Sequence, residues 1–164
     1  MDNLADADWL FWLENSALSL LMRQYIWLYP TVETVHIVGL AILFGSVAMF
    51  DLRLLGFSRQ LLVTDMAQHL LPWTYISFGV VVFSGFLMFA VDATEIAANP
   101  AFRLKLMLIA LTGINAVVFH GGPFRSVKMW NRGVKAPLMI RTIALLSLGL
   151  WTGVIICGRL IAYL

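Results

Sequence analysis

Four stretches of the chain, Thr31 to Phe50, Trp73 to Val91, Leu104 to His120 and Thr142 to about Ala162, are each close to the 20 or so apolar residues that carry a helix across the hydrocarbon of a bilayer. Their few ionisable residues lie near the ends, as in membrane helices. With 164 residues in all, four or five crossings are the ceiling. Composition agrees: 61% of the residues are hydrophobic and only 12% are charged, against about 25% charged in soluble domains. A soluble core of this size cannot hide so much apolar surface. One cysteine, Cys157, and a dispersed net charge of +2 exclude a disulfide scaffold and a nucleic-acid binder. The expected fold is all-α, an integral membrane four-helix bundle forming one domain over residues 1–164, with the lipid bilayer as its solvent.

The segment from Trp9 to Tyr29 is long enough to span but contains Glu14, Asn15, Arg23 and Gln24. On a helical wheel Asn15, Ser16, Ser19 and Arg23 share one side. That pattern, with its five Trp and Tyr residues, predicts an interfacial helix over about 9–29 in preference to a fifth span. Asp2, Asp6 and Asp8 stand where a secretory signal needs basic residues, so no signal peptide is expected here. Pro30 and Pro72 punctuate the approaches to the first two spans.

Four spans place both termini on one face. The connections on the opposite face collect Arg53, Arg59, Arg125, Lys128, Arg132, Lys135 and Arg141, while most acids lie with the termini. The positive-inside rule then predicts a bacterial inner-membrane protein with both termini in the periplasm. No connection is long enough for a soluble catalytic module, so function must reside in the bundle or on its rims.

Ionisable side chains in a membrane are costly and mark function. His36 shares a helix face with Glu33 and Gly39, and Lys105 on the third span lies at a similar depth. His69 and His120 both lie near the basic face. Two candidate pairs follow, His36 with Lys105 and His69 with His120. Two nitrogen ligands from different helices at one depth suit a b-type haem, whose propionates face arginines such as Arg53, Arg59 and Arg125. Gly39, Gly79, Gly85 and Gly113 are expected on inward faces, making room for the ring. Without a CxxCH motif, covalent c-type attachment is excluded. The competing structural reading has His36 hydrogen-bonded within the bundle, His69 and His120 wet at the interface, and Lys105 snorkelling to the headgroups.

Other features have plainer readings. The eight methionines suit Cu(I) chemically but are scattered, and core packing explains most of them. Asp51 reads as an ion pair with Arg53, with a proton path as the minority view. Gly149 and Gly153 have GxxxG spacing and are expected to pack helices within the bundle. Cys157 is expected to be a buried packing residue.

The strings Glu33-x-x-His36-x-x-Gly39, Asp51-Leu-Arg-Leu-Leu-Gly56, Leu71-Pro-Trp73, Asn99-Pro-x-Phe102-Arg-x-Lys105, Asn115-Ala-Val-Val-Phe-His120, Ser147-Leu-x-Leu-Trp151 and Gly158-Arg-Leu-Ile-Ala-Tyr163 together resemble a bacterial family of short inner-membrane proteins that carries a domain-of-unknown-function label. That resemblance covers nearly the whole chain and implies fold and localisation. Over spans one and three the chain also resembles the haem-binding membrane protoporphyrinogen oxidase family, which implies haem at His36 and Lys105. A similar span pattern occurs in the copper-resistance D family, which implies metal transport. The function expected is haem b binding, one or two per chain, with electron transfer from a periplasmic or quinol donor. Transport of copper or another metal ion, or a non-catalytic membrane subunit, is the alternative.

Overall fold

The computed structural model describes residues 4–163, with side chains from Asp8 to Tyr163. Asp2 and the Asp6 side chain, counted above among the acids, lie outside the described residues. Two short helices, α1 (Leu4–Glu14) and α2 (Ala17–Gln24), precede the long helices α3 (Leu28–Leu55) and α4 (Val63–Val91). A short α5 (Ala93–Ala98) leads into α6 (Pro100–Gly121). A 3-10 turn (Pro123–Met129) then precedes α7 (Leu138–Leu160). The helices α3, α4, α6 and α7 are each long and apolar enough to cross a membrane. The protein is thus an all-α, multi-pass membrane bundle. One end of it carries α1, α2, α5 and the C-terminal turn, the other the 56–62 and 122–137 connections; these are the termini end and the loop end below.

Both prolines sit inside helices instead of before them. Pro30 falls in the first turn of α3, where a missing N–H costs nothing because that amide has no helical partner. Pro72 lies nine residues inside α4, so His69 belongs to the helix proper. A proline there removes one backbone hydrogen bond, and the Thr74 hydroxyl donates to Leu70 O at 3.0 Å just beside the gap. Helix α3 ends at Gly56, whose φ of 109° lies in the left-handed region that glycine tolerates, and Phe57 N closes the end by donating to Leu52 O at 3.0 Å.

Packing is asymmetric. Helix α3 pairs with α4, α6 pairs with α7, and α3 and α7 join the two pairs, while α4 and α6 share no packed seam. The order around the bundle is therefore α4, α3, α7, α6, and across the α4/α6 side Phe89 stacks on Phe102 at 5.2 Å near the termini end. Its main core lies at the loop end, where Phe50, Leu54, Val63, Phe119, Trp130 and Ile140 are buried together. Leu43, Trp151 and Val154 hold α3 against α7 at mid-depth. Gly153 packs within the bundle as expected: a Cβ there would meet Leu108 Cδ1 at 3.1 Å, whereas Gly149 faces open space.

The segment before the first span is two helices, broken at Asn15 and Ser16, with Ser16 capping α2 through Ser19 N at 3.4 Å. Of its polar side, Ser19 faces the protein, while Asn15 and Arg23 stay exposed. Ser19 and Met22 are buried while Leu18, Leu20, Leu21, Ile26 and Trp27 are exposed. In lipid this orientation is inexpensive, because leucine outside is solvated by acyl chains and polar groups need protein partners. Arg23 pairs with Glu14 at 3.3 Å and with Asp92 at 3.6 Å, and also donates to Val91 O. Glu14 in turn accepts from Thr94 Oγ1 at 2.6 Å and Thr94 N at 3.2 Å, at the start of α5. The Thr94 hydroxyl and amide, then Arg23, hold the Glu14 carboxyl below the usual carboxylate range.

Candidate functional site

The four-helix pairing places the candidate residues at three locations. The first is His36, buried at the α3/α4 contact about 12 Å along α3 from Leu28. Its Nδ1 lies 2.9 Å from Ser84 Oγ. The Ser84 hydroxyl has one proton and directs it to Val80 O at 2.6 Å, so it accepts from the imidazole. Nδ1 therefore carries the ring hydrogen and Nε2 keeps its lone pair, the arrangement found in histidines that ligate metals. Glu33, one turn away, is exposed, so the anchor of His36 is Ser84 on the neighbouring helix. Lys105 on α6 is partly buried. Its Nζ turns toward α7, 3.6 Å from where a Cβ on Gly158 would stand.

The glycines expected to cradle a ring have other neighbours. A Cβ on Gly39 would meet Val81 Cγ2 at 3.0 Å, and one on Gly85 would meet His36 Cε1 at 3.1 Å. Both serve close approach of α3 and α4. Gly79 faces outward, and Gly113 lies beside the cavity described below.

The second location is the loop-end half of the bundle. A cavity of about 300 Å³ lies between α3, α4, α6 and α7, at the lower end of the range for small-molecule sites. Phe50, Phe78, Phe119, Tyr75 and Trp151 supply aromatic wall, and Asp51, Ser147 and His120 supply polar wall. Asp51 is 5% exposed, and its Oδ2 is buried with no hydrogen-bond partner. His120 Nδ1 lies 2.9 Å from Ala116 O, a pure acceptor, which assigns the proton to Nδ1 and leaves Nε2 with a lone pair. That Nε2 is also buried and unpartnered. Asp51 Oδ2 and His120 Nε2 are thus closed off from the cavity that their residues help to line.

The third location is the loop-end rim. Arg53 is 2% exposed, and it is committed to backbone: Nε donates to Leu61 O at 2.8 Å, and Nη2 to Asn131 O at 3.0 Å and Arg59 O at 3.3 Å. Asn131 also caps α4, accepting from Thr64 N at 3.0 Å through its side chain. The arginine thus ties both loops to α3, and the expected ion pair with Asp51 does not form. Residues two apart face opposite sides of a helix, so the i, i+2 spacing of Asp51 and Arg53 already opposed that pairing. Arg125 is exposed on the 3-10 turn.

Of the two expected pairs, neither is seen in contact: His36 packs against α4 and Lys105 turns toward α7, while His69 is exposed and outside the cavity wall that His120 helps to form. Among the described residues no group of three or more His, Cys, Asp or Glu is placed to hold a metal ion. Met49, Met107, Met129 and Met139 are exposed toward the surroundings of the bundle, so core packing accounts for fewer methionines than expected. Cys157 is buried. Ser84 is the residue that reading the sequence missed. Its signal was present: a serine beside Gly85 in the most apolar span.

The chain belongs to the family of unknown function DUF6644, whose model matches residues 9–164. No curated protein and no solved structure matches it.

Proposed function

Because the family to which the chain belongs carries no assigned activity, the functional reading rests on the side chains, and we propose a b-type haem-binding protein of the bacterial inner membrane that passes electrons within or across the bilayer. One observation carries this reading: His36 is anchored through Nδ1 by Ser84, which leaves the lone pair on Nε2, the nitrogen that would bind iron. As donors, an imidazole and an amine fit a haem iron. The α4 side of His36 is filled by Gly85 and the valines that pack Gly39, whereas Gly158 on α7 meets only Lys105. One haem is expected, held by His36 and Lys105, because His69 is exposed and away from His120. Bound there, haem supplies a one-electron centre. The chain's own part is to fix the imidazole tautomer through Ser84 and to keep the site in a low-polarity bundle, both of which tune a redox potential.

The visible spectrum of protein purified in detergent from haem-replete cells tests this. A Soret band with sharp reduced α and β bands, lost in His36→Ala and kept in His69→Ala, is the expected result. A colourless preparation refutes it. Stoichiometric copper in that preparation favours metal transport, and neither pigment nor metal favours a non-catalytic membrane subunit.

A further inference from the structure

The loop end carries positive charge that the protein itself does not neutralise. Besides the buried Arg53, its two connections and the helix turns beside them hold Arg59, Arg125, Lys128, Arg132, Lys135 and Arg141, against the acids Asp65 and the buried Asp51. Among the described residues the ion pairs are those of Arg23 at the other end of the bundle, so no cation of the loop end is paired. The two connections are also bonded to each other. Gly133 N donates to Arg59 O at 3.0 Å, Val63 N donates to Asn131 O at 3.2 Å, and the Arg53 guanidinium reaches both of those carbonyls. The backbone of Arg59 is thereby fixed beside that of Arg132, which stands between Asn131 and Gly133. Both side chains are exposed. Like charges held side by side repel each other, and an anion over them turns that cost into attraction.

Charge alone would admit a free phosphate or an acidic protein, and the apolar surroundings select a lipid. Phe57, Met129, Val134 and Leu138 are exposed among these cations, and Leu138 begins a helix long and apolar enough to span. The surface therefore lies where headgroups meet acyl chains, with apolar side chains for the acyl boundary and guanidinium and ammonium groups for phosphate. The planar fork of arginine matches phosphate oxygens in pairs. We propose that the joined loops form a binding surface for the headgroup of an anionic phospholipid, with Arg59 and Arg132 at its centre and Arg125, Lys128 and Lys135 adding to its field. This goes beyond the haem reading and does not depend on it.

Native mass spectrometry of the haem-free, full-length protein in mild detergent, titrated separately with dioleoyl-phosphatidylglycerol and dioleoyl-phosphatidylcholine, tests the assignment. Phosphatidylglycerol should bind about tenfold tighter or more. A basic side chain near anionic headgroups contributes about fivefold in affinity, so Arg132→Gln combined with Lys135→Gln should weaken phosphatidylglycerol binding about 25-fold and leave phosphatidylcholine unchanged. Both residues are exposed, so this variant should melt with the parent. Removing two exposed cations at the termini end, Arg103→Gln with Arg159→Gln, should change the affinity by less than about twofold. Equal affinity for the two lipids, or an equal loss in the Arg103 and Arg159 variant, overturns the proposal. Displacement of phosphatidylglycerol by equimolar polyglutamate points to an acidic protein, and displacement by equimolar glycerol phosphate to a free phosphate; either result overturns it. Should the Arg132 and Lys135 variant not fold, Arg125→Gln with Lys128→Gln decides in its place, and an unchanged preference overturns the proposal.

Discussion

Arg53→Met separates a structural clasp from a cofactor-holding arginine. The methionine keeps much of the apolar stem and removes three hydrogen bonds from a cation to the carbonyls of Leu61, Asn131 and Arg59. Hydrogen bonds to charged groups contribute about 1.5–3 kcal/mol each. The carbonyls of Leu61 and Arg59 belong to exposed residues and regain water or headgroup contacts, so the sum is discounted. A net loss of about 3–5 kcal/mol remains, the range seen when one side of a buried charged network is removed. For a chain of this length about 2–4 °C accompanies each kcal/mol, so melting should fall by about 10 °C. Thermal unfolding of haem-free protein in mild detergent, followed by circular dichroism, measures it. Arg125→Met, at an exposed position, should stay within about 0.5 kcal/mol of the parent. An Arg53→Met protein that melts within about 2 °C of the parent refutes the clasp.

The Glu14 contact should make docking of α1 and α2 pH-dependent. A carboxyl whose folded pKa is depressed stabilises the docked state fully above its unfolded value, roughly 4.3, and loses that contribution as pH falls through the folded value. Trp9 and Trp12 fluorescence should therefore change below about pH 4 and not between pH 5 and 8, and Glu14→Gln should remove the dependence. Gly85→Ala places a Cβ against His36 Cε1, for which overpacking costs about 1–3 kcal/mol, whereas Gly149→Ala enters open space and should be neutral or stabilising through helix propensity. Equal melting of those two variants contradicts the α3/α4 contact described here. A reporter fused after Leu164 should be active in the periplasm, and cytoplasmic activity there would refute the orientation taken from the positive-inside rule.

By itself the sequence determined what solvent the chain folds in. Four runs of apolar residues with charges kept at their ends allow one economical solution in lipid, helices with internally satisfied backbones, and so the all-α bundle was legible. All four helices nonetheless run longer than the residue pattern suggested, and in the first two Pro30 sits in a first turn and Pro72 is accommodated inside the helix. Candidate residues were legible as types, since an ionisable group in an apolar run is conspicuous. Their partners were not. Ser84 reaches His36 across 48 positions, Glu14 reaches Thr94 across 80, and Asn131 reaches Thr64 across 67, and no local periodicity encodes such meetings. The direction of the polar face of α2 was also undecided on a helical wheel, because lipid lets either face turn outward until Asp92 and Val91 O supply partners for Arg23. Only the tertiary structure could assign Arg53 to the loops and Asp51 to a cavity wall, because burial and hydrogen bonding depend on which helix lies alongside.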